Sequence, residues 1–574
     1  MTMAPEAAGD EATFDLAALD GFFGEKLAGP GTGIFAVVQR GDAPAAWRGW
    51  GERQIHPGHP WQDPDSLTVP FWIASISKHF TAYAILQLAE AGRLDLDAAA
   101  CKYLSRLARV SEQVTVRNLL DSRSGLQHDE HCVVLCGSTP EAGLTFRRRL
   151  DFIYEKSHLD VPPDTQTFYQ STDFTLLGEI VEAVTGSTLD GYARDSIFRP
   201  IGMNDTFYGL HYGEVYPRMA GTYCKSSDGT LRQYHNNMEV LGDGSVVSTA
   251  ADLLTWHQHL RRDDLAQQWF EGFGAFREDA GGKGLMYGCG TNRFSVRGAA
   301  AYGKGGHSYA HTAGFVRVPE LDLFIAVFSN QPLLSGLGLA ADVADWAAEC
   351  LGSKASIAAA PMPAELKGLW VNRDNAYVVE IIGSERDSPC GRVPVRALRF
   401  GAARASLHSA GPGRMKSWGH YEYDLQYDER GLMIAFGKNP PGVYARCYPE
   451  PVPADQVGEL AGRYLCPILD GLVRIREEEG AAVLQWGPGH AAAQVLPLYR
   501  TAPDCYLATL APLRGQSFDD GGQSRYAGAQ TYYIKAQREA DGRVAALTIS
   551  NCHVRNYTYH RLPEQRDGAC APEG

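Results

Sequence analysis

The chain has 574 residues, enough for three or four domains at roughly 150 residues each. Its formal charge of −14 repels phosphate backbones, so no nucleic-acid partner is expected; 44% hydrophobic against 21% charged residues excludes a largely disordered chain. The first residues, Met1-Thr2-Met3-Ala4-Pro5, lack the basic and then apolar pattern of a secretory leader, and the apolar stretch 323–339 is broken by Asn330-Gln331-Pro332. A cytoplasmic protein with no membrane partner is therefore expected. The twelve cysteines contain no CxxC pair, which predicts free, mostly buried thiols, and no metal or other cofactor is expected.

In chain order, Gly31-Thr32-Gly33 leads into the apolar run 34–40, a buried strand turned at Gly41-Asp42. Residues 79–91 predict a helix with Phe80, Tyr83, Ala84, Leu88 and Ala91 on one face and Gly92 at its end. Residues 176–184 predict a second amphipathic helix, ended by Gly186, and 321–329 a second buried strand. A turn to Ala, Ser and Pro over 353–363 marks a linker.

Past the linker the sequence repeats. Glu365-Leu366-Lys367-Gly368-Leu369-Trp370 returns as Glu459-Leu460-Ala461-Gly462-Arg463-Tyr464, 94 residues later, and the copies close on Tyr444…Pro449-Glu450 and Tyr557…Pro563-Glu564. Short strand-like runs such as 377–382 and 532–536 alternate with Gly/Pro turns, and two copies suit small antiparallel barrels better than a solenoid. The expected organisation is one α/β domain over 1–353, a linker at 354–363, and β domains at 364–450 and 455–564.

Three elements carry chemistry. Ile73-Ala74-Ser75-Ile76-Ser77-Lys78 holds the chain's one Ser-x-x-Lys, at the start of the first predicted helix. Residues i and i+3 share a helical face, so the Lys78 amine can lie beside the Ser75 hydroxyl and activate it. The helix N-terminus presents N–H groups to a developing oxyanion. Next, Tyr169-Gln170-Ser171 precedes the second helix; Tyr169 can relay protons and Ser171 can hydrogen-bond a substrate amide. Last, Tyr302-Gly303-Lys304-Gly305-Gly306-His307 puts a lysine, expected to stay fully charged, on a strand whose glycines admit a substrate backbone.

In this order the three elements resemble the serine β-lactamase and penicillin-binding superfamily. Within it the chain looks most like the bacterial D-stereospecific aminopeptidases, over residues 15–562, on Ser124-Gly125-Leu126, Val134-Leu135-Cys136-Gly137, Gly242-Asp243-Gly244-Ser245 and the two trailing β domains. The resemblance implies a catalytic domain with an antiparallel sheet flanked by helices, followed by two antiparallel β-barrels. It implies Ser75 as acylated nucleophile, Lys78 as its base and Tyr169 as the second acid/base. The oxyanion hole would combine the Ser75 N–H with one from the strand edge around Gly306 and His307. Asp519 and Asp520, in a Gly/Asp-rich stretch of the last barrel, would meet the substrate's ammonium.

Two positions depart from that family's pattern: Ser171 stands where Asn is usual, and Lys304 where the aminopeptidases carry His. The implied activity is that of a D-aminopeptidase or D-amino-acid amidase acting on a small peptide or an amino-acid amide or ester, as a homodimer. The alternatives are an esterase, acyltransferase or peptide cyclase of the same superfamily, or an inactive substrate-binding homologue.

Overall fold

The computed structural model of the chain describes residues 14–563 except 55–60, 62–64, 136–142, 212, 226–230, 234–237, 272–286, 309–310, 332–333, 355–363, 401–402, 412, 418–422, 430, 437, 470, 487–494, 510–530 and 551–556. Seven antiparallel strands form the first sheet. Their spatial order is Ala46–Gly51, Gly33–Arg40, Leu323–Ser329, Thr312–Val318, Ala299–His307, Thr291–Val296 and Tyr287–Gly288. Ile34 stands opposite Ser329 and Arg40 opposite Leu323, so segments from the two ends of this region are neighbours. The strand Gly33–Arg40 reads as one apolar run because both faces of the sheet are covered. Ile34, Ala36 and Val38 pack with Val343 and Ala347 of the helix Gly336–Cys350, while Phe35 and Val37 join Phe80, Phe315 and Phe328 under the helices of the other face.

The helix Gly336–Cys350 lies close enough to the sheet that two positions admit no side chain. A Cβ on Gly314 would stand 2.2 Å from the Gly336 carbonyl carbon, and one on Gly336 2.1 Å from the Ala313 oxygen. Its first turn is capped by the Ser335 side chain, which accepts from the Gly338 N–H.

On the opposite face the helix Ser77–Glu90 departs from its expected amphipathic form. Of the predicted apolar face, Phe80, Tyr83, Ala84 and Leu88 are inside and Ala91 is exposed past the helix end, but Ser77, Lys78, His79 and Thr81 are inside as well. Several of its buried polar atoms find partners: His79 Nδ1 lies 2.8 Å from Thr291 Oγ1, and Thr81 Oγ1 donates to the Gly242 carbonyl at 2.7 Å. Apolar periodicity underestimates the burial of a helix whose inward polar groups are paired. The strand expected from 321 begins at Leu323, because Pro319–Leu321 makes a 3-10 turn and Asp322 takes a left-handed φ of 48°.

The C-terminal part holds two curved sheets. Eight antiparallel strands from Gly368–Asn372 to Gly442–Arg446 close into a barrel where Trp370 meets Arg446. In the second sheet Tyr464 meets Arg561, and Val495–Ala502 also pairs with Cys505–Ala508, which brings the sheet round on itself. The repeat is visible in its bonds. Trp370 Nε1 donates to the Leu366 carbonyl at 2.9 Å, and 94 residues later the Tyr464 hydroxyl donates to the Leu460 carbonyl at 2.7 Å. Arg446 lies over the Trp370 ring and bonds the Lys367 carbonyl; Arg561 lies over the Tyr464 ring and bonds the Ala461 carbonyl. Among the described residues the cysteines are free, and most are buried, though Cys350 is exposed. No helix among them is long and apolar enough to cross a membrane.

Substituting Gly314→Ala drives a methyl into the helix backbone and should cost about 1–3 kcal/mol. A urea midpoint equal to that of the wild type would contradict the close approach.

Candidate active site

The backbone delivers Ser75 from a strained turn. After the short strand Phe71–Trp72, Ala74 takes φ 46°, a region that alanine rarely enters, and Ala74–Ile76 winds a 3-10 turn into the helix Ser77–Glu90. The Ser77 hydroxyl donates to the Ala74 carbonyl at 2.6 Å and accepts the Val246 N–H at 2.8 Å, fixing the turn to the neighbouring strand. Ser75 is left partly exposed while Lys78, one turn on, is fully buried. Lys78 Nζ stands 3.1 Å from Ser75 Oγ and donates to the Asp243 carbonyl at 2.6 Å.

Tyr169 and Lys304 arrive from other elements. The Tyr169 ring centroid is 5.1 Å from Lys78 Nζ and 4.3 Å from Lys304 Nζ, so two amines flank one ring. Lys304 also lies 3.5 Å from the Tyr287 hydroxyl. Burial, and then the charge of Lys78, push the Lys304 amine well below the ordinary lysine range. The environment therefore works against the permanent cation expected at Lys304. Gly306, on the same strand, backs directly onto the Ser75 turn: a Cβ there would stand 1.8 Å from the Ile73 oxygen and 3.0 Å from the Ser75 nitrogen. The next residue, His307, is partly exposed at the strand end, opposite Thr312.

Ser171 is buried at the head of the helix Thr172–Thr185. Gln170, between it and Tyr169, is turned inward, its amide donating to Ser124 Oγ at 2.9 Å and Asp173 Oδ1 at 3.0 Å. The first barrel supports this wall. Phe168 and Tyr169 pack against its core, and the Lys438 N–H donates to the Thr165 carbonyl at 2.7 Å. Ser75, Lys78, Tyr169, Ser171, Lys304, Gly306 and His307 thus come from three segments that converge around the Ser75 turn. Asp519 and Asp520 lie outside the described residues.

The sequence reading missed the layer beneath. Arg149 is fully buried; its Nε donates to Asp129 Oδ2 at 2.6 Å and its Nη2 to Asp243 Oδ2 at 3.0 Å. Glu130 Oε1 is 3.4 Å from the same Nη2, and burial lifts its carboxyl to about 7, although its side chain keeps 19% exposure. In the run Phe146-Arg147-Arg148-Arg149 the third arginine reads as one more solvated cation, and the only sequence hint was Asp243 inside an already noted glycine-rich loop.

Burial also pushes the Asp173 carboxyl well up, against the hydrogen bonds from Ser124 and Gln170, and its Oδ2 has no partner among the described residues. The folded chain thus holds a proton that the unfolded chain releases above the ordinary value of 3.8. This group's stabilisation is complete below that pH and is lost as pH rises. Asp173→Asn should therefore melt higher than wild type at pH 8 and lose that advantage near pH 4; a difference in melting temperature that does not vary with pH would contradict it.

Comparison with known proteins supplies the context. A Beta-lactamase family model matches residues 19–348, the sheet and its flanking helices. A D-aminopeptidase from Cereibacter sphaeroides is 25% identical over 563 residues, 96% of this chain and 100% of that one. A D-aminopeptidase from Brucella anthropi is 27% identical over 300 residues, 51% of this chain and 55% of that one. The solved octameric penicillin-binding protein homologue from Pyrococcus abyssi matches at a TM-score of 0.50 and 21% identity, over 75% of this chain and 100% of that one. With its strained serine turn, its buried lysine and its sheet-edge glycine in one place, the chain belongs to the Beta-lactamase family and is a hydrolase of the serine β-lactamase superfamily.

Proposed function

We infer that the chain hydrolyses small D-amino-acid amides or short peptides through an acyl-Ser75 intermediate, releasing the N-terminal D-amino acid. The observation that carries this reading is the Lys78 amine, aimed at Ser75 Oγ from 3.1 Å by its bond to the Asp243 carbonyl. Lys78 takes the hydroxyl proton as Oγ attacks the substrate carbonyl. The Ser75 N–H and a strand-edge N–H at His307 hold the oxyanion, which Gly306 permits by letting the strand close on the turn. Tyr169 protonates the leaving amine, and water then displaces the acyl group by the reverse proton path.

The D-aminopeptidases matched along the chain support the substrate class. Burial works against the charged form of Lys304, which suits the carbonyl and amide groups of such a substrate better than a free carboxylate. We assign Glu130, which stays partly exposed beside Arg149, to meet the ammonium.

A fluorophosphonate probe should add its mass to wild type at Ser75 and leave Ser75→Ala unlabelled. The same variant should lose turnover of D-phenylalanine amide by on the order of 10³-fold or more. Labelling that persists in Ser75→Ala would reject the assignment. Because Glu130 ionises through about 7, KM for a D-amino-acid amide should fall as pH rises from 6 to 7.5, where an α-amine of pKa about 7.7–8.0 stays mostly charged. In Glu130→Gln that pH dependence should flatten and KM should rise about tenfold; an unchanged KM profile would remove Glu130 from the site.

A further inference from the structure

The second barrel reaches the candidate nucleophile through a continuous line of buried bonds. Tyr557, on the last strand Tyr557–Arg561, is 1% exposed and its hydroxyl donates to Gln127 Oε1 across the domain boundary at 2.5 Å. Gln127 is fully buried; its Nε2 donates to Asp160 Oδ1 at 2.9 Å and its backbone carbonyl faces Thr172. The Thr172 hydroxyl lies 2.7 Å from that carbonyl and 3.0 Å from Asp129 Oδ1, both acceptors, and receives the Asp129 N–H at 2.9 Å. From Asp129 the line passes through Arg149 to Asp243, whose carbonyl holds Lys78. A second, apolar contact grips the same element: Cys132, on the helix Asp129–Leu135, joins the barrel's hydrophobic cluster with Tyr557 and Ile549, as do Leu144 and Phe152.

We propose that Tyr557 is a positioning residue for Lys78, so that the second barrel is a working part of the active site. Removing the Tyr557 hydroxyl leaves the Gln127 oxygen facing the Cys132 thiol, 4.0 Å away. The side chain must then turn, and its peptide unit, which fixes Thr172, turns with it. Asp129 and Asp243 compete for one rigid guanidinium, so a shift of the first moves the second. The burial that raises the Tyr557 phenol's pKa keeps it a donor across the working pH range. The idea rests on the acyl-Ser75 reading only in taking Lys78 to activate Ser75.

The test compares Tyr557→Phe, Thr172→Val and their double variant with Lys156→Ala, which removes another contact between the same domains, Lys156 to the Leu469 carbonyl, away from the line. For Tyr557→Phe we expect about a tenfold drop both in kcat for D-phenylalanine amide and in the rate of fluorophosphonate labelling, with KM within about twofold and melting temperature within about 2 °C. The double variant should be no slower than the slower single variant, because both break one line. Lys156→Ala should keep wild-type rates. If Thr172→Val does not fold, Asp129→Asn replaces it in the cycle. Unchanged kcat and labelling in Tyr557→Phe, multiplying losses in the double variant, or an equal loss in Lys156→Ala would each overturn the proposal. A wild type that is labelled at Ser75 but does not hydrolyse D-amides would sink the substrate reading alone, and the labelling rates would still decide the role of Tyr557. A wild type that is not labelled at all would sink both.

Discussion

A guanidinium held away from water governs the region around Ser75. Arg149 is fully buried, and its charge is tolerable there only because Asp129, Asp243 and Glu130 surround it. Such a cluster contributes little net stability, since the cost of desolvating four charged groups offsets their attraction. What it gives is fixed position. Asp243 is bound through its carboxylate to Arg149 and through its carbonyl to Lys78, so the amine beside Ser75 inherits the rigidity of a buried ion pair.

The same economy of charge explains the pair of lysines. Two buried lysine amines lie around the one Tyr169 ring. Burial, and then the neighbouring Lys78, act against the ammonium form of Lys304, which has the Tyr287 phenol beside it. One strand lysine can therefore sit in the site without forcing the substrate to bring a compensating carboxylate.

Much of this was legible in the sequence. The strands at 33–40 and 323–329 were readable because sheets covered on both faces give unbroken apolar runs. The barrels were readable because Trp370 and Tyr464 repeat the same local bond with the same spacing. The grouping of Ser75, Lys78, Tyr169 and Lys304 was readable because short motifs at strand and helix ends keep their order. The rest was not. The inward polar side of the helix Ser77–Glu90 has no period to betray it, since its hydrogen-bond partners come from residues more than 150 positions away. Arg149 looked like its neighbours because burial is a property of the fold, not of the residue. The downward shift at Lys304 comes from burial and then from Lys78, and no local window contains either.

The register of the central strands carries a consequence for how the molecule is made. Ile34 lies opposite Ser329, and Gly306 closes on the turn that holds Ser75. During synthesis the chain emits Ser75 and Lys78 early, but the strand that completes their surroundings follows more than two hundred residues later. Contacts of such long range are slow to form, because a large loop must close before any of them is rewarded. The reactive geometry therefore comes into being only near the end of folding, when the ribosome has already delivered the whole first region. A nascent chain stalled before residue 299 would display Ser75 and Lys78 without the strand that closes on their turn.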